Sequence, residues 1–263
     1  MGEWIDVVQA RGLPGLRLVL TAGVPGPWGE AAKGLFFAKR VAYTRVRQVG
    51  GAPNAELLAW TGHDNAPQAV FENEPARTGW TEIIFLAERL APEPALIPED
   101  PAERAQMFGL THELAGENGL GWCRRLMLLD RTLSLPTSAL AAEHPVRAQV
   151  AGLGRKYGYS ATAAQAAPSR VAGILRLLSD QLAAQLRRGR CHLVGERLSA
   201  LDIYWAAFAA MVSPLPESQC AMPAGLRALY ELKDPALRAA CSPELLAHRD
   251  FVYREHLELP VRL

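Results

Sequence analysis

The sequence predicts two units of different class, an α/β domain first and an all-α helical bundle after it. Three observations carry this. Strand-like and helix-like patterns alternate from residue 16 to residue 90, a stretch with four prolines follows, and everything beyond it has helical periodicity. At 263 residues the chain is long enough for one large core or two modest ones, and two domains are expected.

Residues 1–15 end in Gly12-Leu13-Pro14-Gly15 and read as an irregular N-terminal extension. Leu16 to Thr21 alternates and is rich in branched apolar residues, which makes it the first strand. A loop dense in Gly and Pro, Ala22 to Glu30, leads into a helix from about Gly29 to Lys39, and Val41 to Gln48 is the second strand. Asn54 to Thr61 reads as a short helix and Gln68 to Phe71 as a third strand. Glu72-Asn73-Glu74-Pro75 makes a turn that leaves little room for a short fourth strand, and a helix from about Thr78 to Leu90 closes the unit. Such an order needs right-handed crossovers in its first half and a hairpin in its last pair, so the sheet is mixed.

Residues 92–101 form the linker, and residues 102–263 the helical domain. Helices are expected from Ala102 to about Thr132, Glu143 to Lys156, Pro168 to Arg188 with the proline at the helix start, Leu201 to Val212, Pro223 to Leu232, and Pro235 to Leu257. Leu133 to Leu140 and the Ala/Ser-rich Tyr159 to Ala167 are read as loops. The sharpest local signal is Leu198-Ser199-Ala200-Leu201-Asp202-Ile203, a capping box inside a hydrophobic staple, which buries a helix start and needs no chemical role. Phe36, Phe37, Tyr204, Trp205 and Phe208 sit at helical spacing and are expected in the core.

Composition excludes several classes. With 49% hydrophobic and 21% charged residues the chain is an ordinary globular protein, and 28 basic against 27 acidic residues give a net charge of +1, no footprint for nucleic acid. Arg124-Arg125 and Arg187-Arg188-Gly189-Arg190 are read as solvated helix faces or helix C-termini. The four cysteines, Cys123, Cys191, Cys220 and Cys241, are scattered, with no C-x-x-C pair and no His at ligand spacing, so reduced thiols and no metal are expected. Without a signal-like start or an apolar run of spanning length, no membrane association and a cytoplasmic location are expected.

Asn65-Ala66-Pro67-Gln68 organises the first unit. A proline entering a strand removes a ladder donor and fixes φ, so it belongs at the entrance itself or in a tight cis turn. With a cis bond, Ala66 turns its N–H and C=O outward, where they pair with an extended peptide ligand as in strand addition. This strand order, Ala66-Pro67 before the third strand, the proline-rich linker, the helical domain and the Ser199-x-x-Asp202 box together resemble the cytosolic glutathione transferases over roughly residues 16 to 250, in the manner of a divergent bacterial member.

The resemblance implies a thioredoxin-like domain at residues 16–91, an all-helical domain at residues 102–263, glutathione as co-substrate, a small-molecule second substrate and a homodimer. It implies that Ala66, beside Pro67, pairs with the cysteinyl part of glutathione. Thr78 and Gly79 stand where the family grips the γ-glutamyl group, and there the helix start offers amides to a carboxylate. The family activates the thiol with a Tyr, Ser or Cys near the start of the first helix, and Ala22 to Lys39 contains none of these; Thr21 and Trp28 are the remaining candidates. The function implied is conjugation of the glutathione thiolate to an apolar electrophile in the interdomain cleft. The alternative is a non-catalytic ligand-binding or scaffold protein that keeps the fold.

Three glycines interrupt Thr111 to Trp122 in the expected first helix of the helical domain. Each costs about 1 kcal/mol relative to alanine in a helix interior, so close packing or a ligand should offset them. His112, Glu113, Glu117 and Asn118 are candidates for the second-substrate cleft, with tight helix packing at a dimer axis as the competing reading. His112, Glu113 and Glu117 lack the i, i+4 histidine pair of a metal-binding helix. His63-Asp64 reads as a solvated turn, with a general-base or ligand-carboxylate contact as the competing reading, and Tyr157 and Tyr159 are placed near the cleft by location alone.

Overall fold

The structure is a computed structural model that describes residues 4–138, 141 and 144–263. Residues 1–3 of the expected extension, residues 139 and 140 of the expected loop and Glu143 at an expected helix start lie outside the described residues.

The extension is not irregular. Ile5 bridges to Val46, and α1 (Val7–Arg11) follows, closed by a reciprocal cap in which the Gln9 amide donates to Asp6 Oδ1 at 2.8 Å and the Asp6 amide to Gln9 Oε1 at 3.2 Å. Val7 and Ala10 then pack on Val19, Val46 and Leu57. The D-x-x-Q pattern outweighs the Gly-Pro ending on which the irregular reading rested.

β1 (Leu16–Thr21) is the centre of a three-stranded sheet, with α2 (Pro27–Ala38) crossing over to the parallel β2 (Thr44–Gln48) and β3 (Gln68–Phe71) antiparallel on the other side. Leu16, Leu18, Val19 and Leu20 are all buried, as a strand covered on both faces requires. α3 (Ala55–Thr61) precedes β3. The space after it holds no fourth strand, only a bridge in which Ala69 and Arg77 exchange amide bonds of 2.9 and 2.8 Å before α4 (Trp80–Leu90) begins.

The linker is packed rather than free. Leu96 and Ile97 are buried, and Lys39 Nζ donates to the carbonyls of Ala91 (2.6 Å) and Pro94 (2.8 Å) and to the Glu88 carboxylate (2.8 Å). Beyond it lie α5 (Pro101–Ala115), α6 (Leu120–Leu133), α7 (Pro145–Lys156), α8 (Ala161–Arg187), α9 (Ala200–Phe208), α10 (Ala224–Tyr230), α11 (Pro235–Ala239) and α12 (Pro243–His256). The expected helix from 102 to 132 is broken at Gly116–Gly119. A Cβ on Gly119 would lie 2.7 Å from the Glu113 carbonyl oxygen, so the chain turns there only as glycine. α8 starts at Ala161, not at Pro168: Ser160 accepts from the Ala163 amide, and the alanine-rich first turns absorb the proline inside the helix.

One buried apolar cluster runs from the sheet through α9 to α12, and every residue of α9 is buried. Phe36, Tyr204, Trp205 and Phe208 join that core, whereas Phe37 is 38% exposed because it falls on the outer face of α2. Asp202 anchors the α9 start: its carboxylate accepts from the Ser199 amide (2.8 Å), the Ser199 hydroxyl (2.7 Å), the Leu193 amide (2.8 Å) and His248 Nε2 (2.9 Å). No helix among the described residues is long and apolar enough to cross a membrane.

Candidate active site

The glycine-rich loop after β1 delivers the start of α2 to a cavity of about 650 Å³. Gly26 caps the helix without a side chain, and Pro27 takes the first helical position, so the first-turn amides are not covered by a capping oxygen. Thr21, Trp28, Ala66 and Pro67 all line this cavity, and the Ala66–Pro67 bond is cis. Gln68 is fully buried, and its Nε2 donates to the carbonyls of His63 (3.1 Å) and Asn65 (2.6 Å), which fixes the loop entering Ala66.

Both hydrogen-bond donors expected near the thiol are already engaged. Trp28 Nε1 donates to the Ala115 carbonyl at 2.8 Å, and its ring meets Phe208 edge-on at 5.0 Å between centroids. Gly121 is what makes room for this: a Cβ there would sit 2.5 Å from Phe208 and 2.7 Å from Trp28. Thr21 Oγ1 donates to Gln48 Oε1 at 2.7 Å, and Gln48 in turn reaches the Asp64 carbonyl at 3.2 Å.

Thr78 and Gly79 do not line the cavity, and their amides are not offered outward. Glu82, three residues into α4, turns back so that its Oε2 accepts from the Thr78 amide (3.0 Å) and the Gly79 amide (2.7 Å). A helix start that was expected to hold a ligand carboxylate holds the chain's own.

The wall contributed by the helices is also not the one expected. His112 lies 6.3 Å from Trp80 between ring centroids, tilted by 50°, and covers Gly116, and Glu113 pairs with Arg170 at 2.6 Å; neither borders the cavity. Glu117 and Asn118 border a separate hollow of about 690 Å³ beside Arg170, which among the described residues shares Tyr157 alone with the first. The wall consists instead of α6, α7 and α10, with Leu128, Leu129, Leu153, Leu226 and Leu229 supplying apolar surface. Gln149 on α7 reaches Gly51 of the loop after β2, and both line the cavity.

This wall carries charge that the sequence reading placed in solvent. Arg124 is fully buried, with Nε donating to the Met211 carbonyl (2.8 Å) and Nη2 to that of Tyr230 (3.1 Å); burial lowers it to about 10, so it stays charged at neutral pH. Arg125 lines the cavity, with Nη2 3.2 Å from the Tyr230 hydroxyl and Tyr157 on the same wall. Burial raises the Tyr157 hydroxyl against the pull of Arg125, which leaves a neutral phenol 6.4 Å, centroid to centroid, from Trp28. Lys156 lines the same wall; burial lowers its ammonium and Asp64 opposes the shift. Glu30, at the α2 end, is raised by burial and held by Lys33 at 2.9 Å. Among the described residues no group of three or more His, Cys, Asp and Glu side chains is arranged to hold a metal ion.

No family model and no curated protein matches this sequence. Solved structures do match it. A glutathione S-transferase from Methylobacterium radiotolerans in complex with glutathione sulfonate superposes with a TM-score of 0.62 at 16% identity, over 91% of each chain. A glutathione transferase family member from Pseudomonas fluorescens, with two glutathione bound, gives 0.61 at 14% identity over 95% of this chain and 94% of that one. Rice GST1 in complex with glutathione gives 0.58 at 17% identity over 93% of this chain and 92% of that one. At these identities what is shared is the architecture, and this chain has the glutathione transferase fold, a thioredoxin-like unit joined to a helical bundle.

Proposed function

We propose that the chain is a glutathione-transferase-like enzyme that joins the thiolate of glutathione to an apolar electrophile. The observation that carries this is the continuity of one cavity: Ala66, Pro67 and the start of α2 open into the same 650 Å³ space as the leucine-lined wall of α6, α7 and α10. The glutathione and glutathione sulfonate bound by the structurally similar proteins support the choice of co-substrate.

In this reading the Ala66 backbone pairs with the cysteinyl part of glutathione, and Pro67 holds it at the strand entrance. The thiol lies at the start of α2, where uncovered amides and the positive end of the helix dipole favour the thiolate. Its proton leaves to solvent, a carbon–sulfur bond forms at the electron-poor centre, and the leaving group departs with the bonding pair. The γ-glutamyl carboxylate reaches the Thr78 and Gly79 amides only by displacing Glu82.

A second reading, a ligand-binding protein without catalysis, is favoured by one set of observations: Trp28, Thr21 and the α4 amides all spend their donors inside the protein. Titration calorimetry with millimolar glutathione tests the first reading. Heat of binding is expected, and its absence removes that reading. An ultraviolet titration of the bound thiol then separates catalyst from binder: a thiol pKa below that of free glutathione belongs to the enzyme, an unshifted one to the binder. The resemblance also implies a symmetric dimer, and the exposed Phe85, stacked on Phe108 at 5.5 Å under Arg104, is apolar surface suited to such an interface. Light scattering measures that directly.

A further inference from the structure

We propose that Arg125 is an anion anchor within the cavity, and that the second ligand taken there is an amphipathic carboxylate, an apolar body carrying one anionic end. This deepens the reading of the cavity as the electrophile's room and rests on it for the word substrate. The binding itself stands on the wall's own chemistry.

Arg125 carries a charge that no counter-charge among the described residues meets. Arg125 projects from α6 among Leu128, Leu129, Tyr157 and Tyr230. Its hydrogen-bond partner is the Tyr230 hydroxyl at 3.2 Å, the guanidinium lies over the Tyr230 ring at 5.7 Å, and Tyr157 lines the same wall. Its Nε is buried with no hydrogen-bond partner, and among the described residues no carboxylate pairs with it. Sequestering a guanidinium beside apolar surface is costly unless an anion compensates it.

The cavity does not supply that anion. Glu30 is the one carboxylate among the described residues lining it, and Glu30 is committed to Lys33 at 2.9 Å. Arg131 and Lys156 add positive charge to the same wall. A carboxylate entering from solvent would therefore find a planar guanidinium suited to its two oxygens, with two phenols beside it. The leucines around it would bury the ligand's apolar body.

The test uses the full chain and two probes of equal length, decanoate and decanol, titrated by calorimetry without glutathione. Decanoate is expected to bind roughly ten- to a hundredfold more tightly, the discrimination that a charge-assisted contact gives. R125M should reduce that preference to less than about threefold while leaving the decanol affinity within a factor of about two. Equal affinities in the wild type, or a preference that survives R125M, overturn the proposal. Should R125M fail to fold by circular dichroism, phenylglyoxal labelling of the wild type replaces it. Decanoate should protect Arg125 and decanol at equal saturation should not, and protection by neither or by both overturns the anchor.

A last arm repeats the titrations in saturating glutathione, which carries carboxylates of its own. Persistence of the decanoate preference assigns the anchor to the second ligand; its loss assigns Arg125 to glutathione and overturns the proposal. If glutathione does not bind at all, the transferase reading fails by itself and the glutathione-free arm still decides the anchor.

Discussion

Two helices of this protein begin with the same device, an acidic side chain in the first turn bonding back to the helix-start amides, and the two do different work. At α9, Asp202 is completely buried and receives four donors from three segments of chain. At α4, Glu82 is exposed and receives only the amides of Thr78 and Gly79. Burial accounts for the contrast: an unpaired donor in the core forfeits its hydration, whereas one at the surface is served by water. The α9 box is thus a joint of the fold, and the α4 box a cover over amides that a ligand would otherwise meet.

The largest effect belongs to Asp202. D202A strands the Leu193 and Ser199 amides and His248, and should cost about 3–5 kcal/mol, read as a drop in the urea midpoint. Lowering the pH strains the same joint. Burial holds His248 and His256 below their ordinary value of 6.5, so the unfolded chain binds protons that the folded one refuses. Stability is therefore full above about 6.5 and declines as pH falls beneath it. The slope below that point should shrink in H248Q, and equal slopes in both proteins would show that His248 titrates normally.

S199A should cost about 1–2 kcal/mol in the same unfolding assay, because only the hydroxyl donated to Asp202 is lost and the Ser199 amide bond stays. The smallest stability effect belongs to α4. E82A should destabilise by less than about 1 kcal/mol, since water takes over the freed amides. It should also tighten glutathione binding by calorimetry, roughly two- to tenfold, by removing a competing carboxylate from the helix start. Weaker binding in E82A would mean that Glu82 assists the ligand rather than displacing it.

Much of the fold was legible in the sequence because its signals are local. The alternation of Leu16 to Thr21, Pro67 at a strand entrance and the Ser199-x-x-Asp202 box each declare themselves within a few residues. The site was legible only in part. Ala66 and Pro67 line the cavity beside Thr21 and Trp28, but the cover formed by Glu82 went unread although Gly79-x-x-Glu82 is itself a capping pattern. Arg124 and Arg125 show the deeper difficulty. Adjacent residues on a helix point about 100° apart, and only the packing of α6 against distant segments decides that one reaches the Met211 and Tyr230 carbonyls while the other enters the cavity. The break at Gly116–Gly119 was signalled by the glycines themselves, and Gly121 by no pattern, since its neighbours Trp28 and Phe208 are far away in sequence.

Trp28 has a consequence for how this protein can change over evolutionary time. Placing a hydroxyl at the start of α2 looks like a single substitution, yet Trp28→Ser would empty the space between Phe208 and Gly121 and leave the Ala115 carbonyl without its donor. Large-to-small changes of that kind cost about 3–5 kcal/mol, a large share of the stability of an ordinary domain. Refilling that space from position 121 is not open either, because a Cβ there would still sit 2.5 Å from Phe208 after the indole is gone. Trp28, Gly121 and Phe208 are one packing unit, and a change at any one of them must be met by the other two.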